Sequence, residues 1–598
     1  MEEILFWGLS IDAWITLVTV IAVMVVLLLT KIRTDAVFLI AIGILFATGV
    51  LDAAEACSGF NSPAVVVTGV LTVVVAGLRQ TGVLQWILKY VFGLPDSFPK
   101  ALLRMMIPVS VMSAFINNTT VTALFNGVMK QWARKLDITA SKLYIPMVYA
   151  VLMGGVCTLI GTPSNIVISE LYEEAGGNAM NMFTPLVPGL ISLIVGMCFI
   201  ILTRKWLPER KSPEEAFGST PDYTVELLVP SDNPNIGKTL GEAGLFRVKG
   251  GNLIEIYHFD DVQSPVSEDE YVMGGDRLIY AGQIDEILEL KSSHGLAIAD
   301  HPVFSLGETR RNSRLRTASV PFDSSLIGKN IGDSRVEKDY DLILVAVARR
   351  GKRIEASPRE VALRAGDTLL FECPRNMAPY AQRLSHQLQF SESQEVYETG
   401  PDTLVSTLIL TAMLILTSLN VVSLLQGTVM AALAMIFCRC CSVSQAMDSI
   451  NWKVLMGMAG SIVLGTAISK TGIAEQVADG ILGLCGTNPL IVMLSVCLVA
   501  ALFTQLVMNV AIGAMFFPIM YQAALQIGYE PVTFLIALMI AVNASFATPI
   551  GAPANMMIYG PGGYRFSDFM RMGVPLTLLV TLTGIAASCL TFPLTPLP

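Results

Sequence analysis

Charge is scarce in this chain. Lys, Arg, Asp and Glu make up 15% of its 598 residues, hydrophobic residues make up 53%, and mean hydropathy is +0.61. A soluble domain carries about 25% charged residues, so this composition excludes one and points to an integral membrane protein. Histidine is scarcer still: His258, His294, His301 and His386 all fall in one polar block, which leaves the apolar segments without the usual general bases and proton relays and speaks against an enzyme. A net charge of −9 offers no electrostatic footprint for nucleic acid. The ten cysteines are scattered and show no zinc-site spacing, and the cluster Cys438-Arg439-Cys440-Cys441 reads as small packing residues at a helix end. No basic n-region precedes the apolar run Ile11–Thr30 and no cleavage site follows it, so it reads as a first membrane span.

What is present is a motif that occurs twice. Gly154–Asn165 reads G-G-V-C-T-L-I-G-T-P-S-N and Asn543–Asn555 reads N-A-S-F-A-T-P-I-G-A-P-A-N, with Gly161, Pro163 and Asn165 aligned to Gly551, Pro553 and Asn555. Both copies lie in long apolar segments, where G-x-P-x-N must interrupt a helix and free backbone groups. Apolar runs predict spans near 11–30, 35–51, 64–88, 143–169 and 186–203, and near 402–419, 424–438, 453–469, 531–558 and 574–594. Basic residues cluster at Lys31/Arg33, Lys89/Lys100/Arg104, Lys130/Arg134/Lys135/Lys142 and Arg204/Lys205/Arg210/Lys211, whereas connections 52–62 and 171–185 have none. The positive-inside rule therefore places the N-terminus outside and the clusters in the cytoplasm. The stretch 101–129, basic at both ends, should enter and leave from the cytoplasm as a re-entrant hairpin, and 489–527 should do so from outside; Lys470 is the discordant charge. With an odd number of crossings in each half, the halves are expected to be inverted repeats, the signature of a transporter.

Hydropathy collapses between Pro208 and Pro401, where strand-like runs such as Leu342–Ala348 and Asp276–Tyr280 alternate with turns. Ile236-Gly237-Lys238 … Gly275-Asp276-Arg277-Leu278 recurs 91 residues later as Ile327-Gly328-Lys329 … Gly366-Asp367-Thr368-Leu369. The expected domains are a first membrane repeat with an extra N-terminal helix (1–205), two tandem α/β units (206–305 and 306–400) and a second membrane repeat (401–598). The spacer around Gly307–Thr317 reads as a linker. Each unit resembles the TrkA-C (RCK-C) lobe of potassium-channel regulatory domains, through G-K-x-[LI] and G-D-x-L. No G-x-G-x-x-G follows a strand, so no NAD or ATP site is expected. The resemblance implies ligand sensing or dimer contact, and a structural cap is the plain alternative.

The hairpin tips read Ser113-Ala114-Phe115-Ile116-Asn117-Asn118-Thr119-Thr120 and Thr504-Gln505-Leu506-Val507-Met508-Asn509-Val510. Tips and breaks at one depth can offer carbonyl and hydroxyl oxygens to Na⁺, and amides and helix N-termini to an anion. At these residues the chain resembles the divalent anion/sodium symporter (SLC13-type) family of the ion-transporter superfamily, which carries Ser-Asn-Thr at each tip and a G-T-P-P-N-like break. The first tip here has Asn117-Asn118-Thr119 and the second Met508-Asn509-Val510. The resemblance implies sodium ligands at Ser113, Asn118 and Gly161, and at Thr504, Asn509 and Gly551. It implies substrate contacts at Asn117, Asn118, Thr119, Thr162 and Pro163 opposite Asn509 and Pro553. Members with tandem TrkA-C inserts resemble sulfate permeases, and the missing hydroxyls at Met508, Val510 and Ala552 weigh against a dicarboxylate.

The reading is thus a polytopic helical protein of the plasma or inner membrane, working as a homodimer, that couples Na⁺ to uptake of a small divalent anion, sulfate first, by an elevator-type movement. A sodium/dicarboxylate symporter is the alternative. A ligand-gated cation channel is a third, weakened by the absence of a T-V-G-Y-G filter. The topology is testable: single cysteines placed at positions 100 and 131 should both be labelled from the cytoplasmic side alone, and labelling from opposite sides would exclude a re-entrant first hairpin.

Overall fold

The computed structural model describes residues 10–29, 34–81, 92–93, 95–136, 138–210, 224–248, 251–258, 261–263, 266–282, 293–298, 315–321, 324–331, 336–340, 342–349, 352–354, 361–372, 384, 387–390, 401–419 and 421–597. The chain divides into two compact units, one made of Glu209–Ser393 with Tyr559–Tyr564 and the other of Met1–Pro208, Gln394–Ile558 and Arg565–Pro598.

The larger unit is built from helices. Its first half runs α1 (Ile11–Leu29), α2 (Thr34–Ala47), α3 (Ala53–Asn61), α4 (Pro63–Gln80), α5 (Phe98–Ser113), α6 (Asn118–Lys135), α7 (Ser141–Gly155), α8 (Pro163–Glu174) and α9 (Leu186–Leu202). Its second half runs α10 (Pro401–Ser418), α11 (Leu424–Phe437), α12 (Val443–Asp448), α13 (Trp452–Lys470), α14 (Ile473–Cys485), α15 (Pro489–Phe503), α16 (Asn509–Gln526), α17 (Pro531–Asn543), α18 (Pro553–Tyr559) and α19 (Phe566–Thr591). Among the described residues two helical runs, Ala53–Gln80 and Phe566–Thr591, are long and apolar enough to cross a membrane, and seven other apolar helices have 10–17 residues.

Helix starts follow local chemistry. The connection expected at 52–62 is itself helical, because Asp52 accepts from the Glu55 amide (2.7 Å) while Glu55 accepts from the Asp52 amide (2.8 Å). The span expected at 574–594 begins earlier, at Phe566, where the Asp568 carboxylate accepts from the Arg565 amide. Lys470, the discordant charge, pairs with Glu55 of α3. Between α13 and α14 the chain bends by 70° at Thr471-Gly472, and Gly472 takes a left-handed φ of 73° that a side chain would resist. The matching Gly82 and the end of the span expected to 88 lie outside the described residues.

Packing between the halves is reciprocal. Helix α4 packs on α11 as α13 packs on α2, α3 lies on α13 as α12 lies on α4, and the last helices of the halves, α9 and α19, pack on each other. Each stretch expected to form a hairpin is two helices joined by a short turn, α5 to α6 and α15 to α16. Both members of the first pair lie on α7, and both members of the second lie on α17. The runs at 143–169 and 531–558 are divided between α7 and α8 and between α17 and α18.

The smaller unit holds two antiparallel sheets. The first contains β1 (Thr224–Leu228), β2 (Arg247–Val248), β3 (Gly251–His258), β4 (Asp261–Gln263), β5 (Arg277–Gly282) and β6 (Ala297–Ile298). The second contains β7 (Leu315–Ser319), β8 (Ile343–Arg349), β9 (Lys352–Arg353), β10 (Thr368–Glu372) and β11 (Gln389–Phe390). The pairing path β4-β3-β5-β1-β6 is repeated as β9-β8-β10-β7-β11, and buried Leu253, Ile256, Leu278 and Tyr280 recur as Leu344, Val347, Leu369 and Phe371. Residues 315–317, expected in a linker, belong to β7 because they pair with Leu370–Glu372; 307–314 lie outside the described residues.

The repeated G-D explains itself physically. Gly275 and Gly366 have φ of 92° and 81°, and the buried Asp276 and Asp367 close the turn by accepting from the amides of Met273 (2.7 Å) and Arg364 (2.8 Å). His258 meets Asp276 at 2.7 Å, and its counterpart Arg349 grips Asp367 with two bonds of 2.8 and 2.7 Å. That hydrogen bonding raises the Arg349 pKa. A cation raised above its unfolded pKa keeps its full contribution at every pH below that value, so this pair should not weaken as pH rises from neutrality to about 9. Replacing Arg349 with Ala should destabilise the second sheet by about 1.5–3 kcal/mol, read as faster tryptic cleavage in 315–390 of the full chain in urea. An unchanged rate would mean that the pair contributes nothing.

Candidate binding site at the four helix breaks

Four interruptions meet inside the larger unit: the turns α5–α6 and α15–α16, and the breaks α7–α8 and α17–α18. In the first turn Ser113 Oγ donates to Asn118 Oδ1 at 2.7 Å, and in the second Thr504 Oγ1 lies 3.0 Å from Asn509 Oδ1 and 2.6 Å from the Val542 carbonyl. Thr504 has one proton for those two acceptors, so an oxygen is left over.

Each break is tied to its turn in the same way. Thr158 Oγ1 donates to the Ala114 carbonyl and accepts from the Gly161 amide (3.2 Å); Thr548 Oγ1 donates to the Gln505 carbonyl and accepts from the Gly551 amide (3.0 Å). Asn165 and Asn555 bridge back, each donating 2.9 Å bonds to the Thr158 and Thr548 carbonyls. These side chains replace the intrahelical partners that the breaks remove. The two glycines are there for close approach. A Cβ on Gly161 would lie 2.5 Å from the Gly155 carbonyl oxygen and 2.6 Å from that of Ser113, and one on Gly551 would lie 2.7 Å from the Thr504 carbonyl oxygen. A Cβ on Gly155 would meet Asn118 Oδ1 at 2.3 Å. Oxygen atoms of turn and break thus converge in each half.

The halves also brace each other. Tyr149 of α7 donates to the Phe546 carbonyl in the second break (2.7 Å) and sets its ring against that of Phe546. Asn543, the last residue of α17, reaches the other way: its Oδ1 lies 3.1 Å from Thr162 Oγ1, 3.0 Å from Ser164 Oγ and 3.2 Å from Asn509 Nδ2. Its Nδ2 donates to Asn165 Oδ1 at 3.0 Å. Gln505 ties the second turn to its break by donating to the Ala544 carbonyl and accepting from the Ala547 amide, both at 2.8 Å.

The sequence-derived candidates divide accordingly. Ser113 with Asn118, and Thr504 with Asn509, are joined directly. Gly161 and Gly551 press on the two turns, and Thr162 meets Asn509 through Asn543. Asn117 and Pro163 line one pocket with Thr68, Thr72, Phe115 and Thr120. The Thr119 amide donates to Asn117 Oδ1 at 3.0 Å, which caps the start of α6. Pro553 is exposed at the start of α18 and is not brought to the others. Sequence reasoning missed Thr158, Thr548, Asn543, Tyr149 and Gln505. The shared T-x-I-G ahead of each break was the signal for the two threonines; Tyr149 and Asn543 act across the halves, where sequence spacing says nothing. None of these residues carries a charge.

The comparison that decides the family is a match to the citrate transporter family (CitMHS) over residues 24–528 and 458–596. This chain belongs to the citrate transporter family. It is 30% identical over 595 residues to an uncharacterized transporter of Synechocystis sp., covering 96% of each chain. It is 21% identical over 765 residues to probable sodium/sulfate cotransporter 3 of Chlamydomonas reinhardtii, covering 90% of this chain and 84% of that one. A shorter match, 27% over 136 residues and 23% of each chain, is to solute carrier family 13 member 2 of Mus musculus. As a member of the citrate transporter family the chain is a membrane transporter, in accord with its composition.

The glycine contacts give a direct test. Gly161→Ala and Gly551→Ala each push a methyl into backbone and should cost about 1–3 kcal/mol, whereas Gly480→Ala meets open space. Melting of the detergent-purified protein should fall for the first two and hold for the third; equal melting for all three would contradict the close approach.

Proposed function

We propose that this member of the citrate transporter family is a secondary active symporter that carries a small divalent anion, sulfate first, together with Na⁺. The observation that carries this is the pairing of turn and break in each half, where hydroxyl, amide and carbonyl oxygens outnumber the protons between them. Such neutral hard oxygens suit a monovalent cation. The first set is Ser113, Asn118 and the carbonyls around Gly161; the second is Thr504, Asn509, the Val542 carbonyl and the backbone around Gly551. Helices α6, α8 and α16 begin at Asn118, Pro163 and Asn509, and their N-termini favour an anion beside the cations. Asn117, Asn118, Thr119, Thr162, Pro163 and Asn509 are the proposed anion contacts; Pro553, exposed and apart from them, is not among them.

The relative named a sodium/sulfate cotransporter supports sulfate and sodium, and the name of the family supports a carboxylate. The side chains favour the compact anion: Met508, Val510 and Ala552 lack hydroxyls with which to hold two separated carboxylates. In this reading the halves are inverted repeats, the turns are re-entrant, and an elevator-type movement in a homodimer exposes the site to either side. The insert is then a cytoplasmic pair of TrkA-C-like units.

Proteoliposomes given labelled sulfate or labelled succinate, with and without a sodium gradient, test the proposal. Sulfate uptake should exceed succinate uptake and require the gradient; sodium-independent uptake, or succinate alone, would reject it. Asn118→Ala and Asn509→Ala should each weaken sulfate affinity about 5- to 150-fold, the equivalent of about 1–3 kcal/mol. Asn117→Ser should raise succinate uptake relative to sulfate. Normal transport by both alanine variants would place the site elsewhere.

A further inference from the structure

Asn543 is 1% exposed and sits between the two halves. Which of its amide atoms faces where is fixed by chemistry. One lies 2.8 Å from the Met539 carbonyl, which can only accept, so that atom is the nitrogen. The oxygen therefore faces Thr162, Ser164 and Asn509. The constraint propagates, because an acceptor at Asn543 turns Asn509 Nδ2 toward itself and so turns Asn509 Oδ1 toward Thr504. Asn509 is thereby held with its oxygen, not its nitrogen, on the side where a cation would bind. The same Asn543 oxygen holds both hydroxyls at the start of α8, in the opposite half.

The brace has no mirror image. The aligned position in the first half is Met153, which has no amide. Accordingly Asn165 Oδ1 receives the Asn543 Nδ2 proton, whereas the aligned Asn555 Oδ1, also buried, has no hydrogen-bond partner among the described residues. One polar link therefore runs from the second turn to the first break, and among the described residues no hydrogen bond runs from the first turn to the second break.

We infer that Asn543 is a positioning residue that couples the orientation of Asn509 at the second turn to the hydroxyls of Thr162 and Ser164 at the first break, and so links cation binding in one half to anion binding in the other. This rests on the symport reading above. A cation that draws Asn509 Oδ1 strengthens the bond from Asn509 Nδ2 to Asn543. Asn543 Oδ1 then has less capacity for Thr162 and Ser164, whose protons turn outward to an anion.

The test is sodium linkage, read in proteoliposomes made with the full chain. In the wild type the KM for sulfate should fall as sodium rises. Asn543→Met fills the same space with the residue of the first half. It should raise the sodium needed for half-maximal uptake about tenfold, the loss expected for one hydrogen bond, and make the sulfate KM nearly independent of sodium. Ser164→Ala, which cuts one link and leaves Asn509 held, should weaken the dependence of KM on sodium without changing the sodium requirement at sulfate far below its KM. It decides the matter if Asn543→Met does not fold. A lower maximal rate with unchanged sodium linkage in either variant would overturn the inference and leave the symport reading intact. A wild type whose sulfate uptake ignores sodium would overturn both.

Discussion

Lipid cannot supply a hydrogen bond, so each backbone group freed where a membrane helix breaks must find its partner within the protein. That constraint organises the larger unit. Thr158 and Asn165 answer it in the first half and Thr548 and Asn555 in the second, by nearly the same bonds. Glycines on the following helices complete the seal: a Cβ on Gly189 would press on Cys157 and one on Gly573 on Phe546. These contacts brace the breaks against the turns, where the oxygens left over are presented.

Rigidity of this kind suits discrimination. A site made of amides, hydroxyls and carbonyls has no fixed charge to neutralise, so under the proposed symport cation and anion would each lower the cost of binding the other. Asn543 and Tyr149 make the two halves one object, and Asn543 does so unequally. If the halves are the repeats proposed above, such inequality is where their roles can diverge.

Much of this was legible in the sequence and some was not. The doubled G-x-P-x-N marked the breaks because glycine and proline interrupt a helix wherever they stand, and Asn118 and Asn509 could be found because their turns are flanked by matching residues. The capping box at Asp52–Glu55 is equally present in the sequence, but the sign of the charges in 52–62 speaks only to its side of the membrane and not to its helix. In the insert the shift of 91 residues carried through to strand order and to the turn glycines, since left-handed φ and a buried turn carboxylate leave little choice of residue. Asn543, Tyr149 and Gln505 could not be read. Their partners lie on distant or non-helical segments, and a buried Asn or Tyr has the same appearance in sequence whether it braces a break or only fills space.

The central claim is that one neutral site takes cation and anion together. Calorimetric titration of sulfate into the detergent-purified chain, in sodium chloride and then in potassium chloride of equal ionic strength, addresses it most directly. The account predicts saturable binding in sodium and little in potassium; equal binding in the two salts would contradict it.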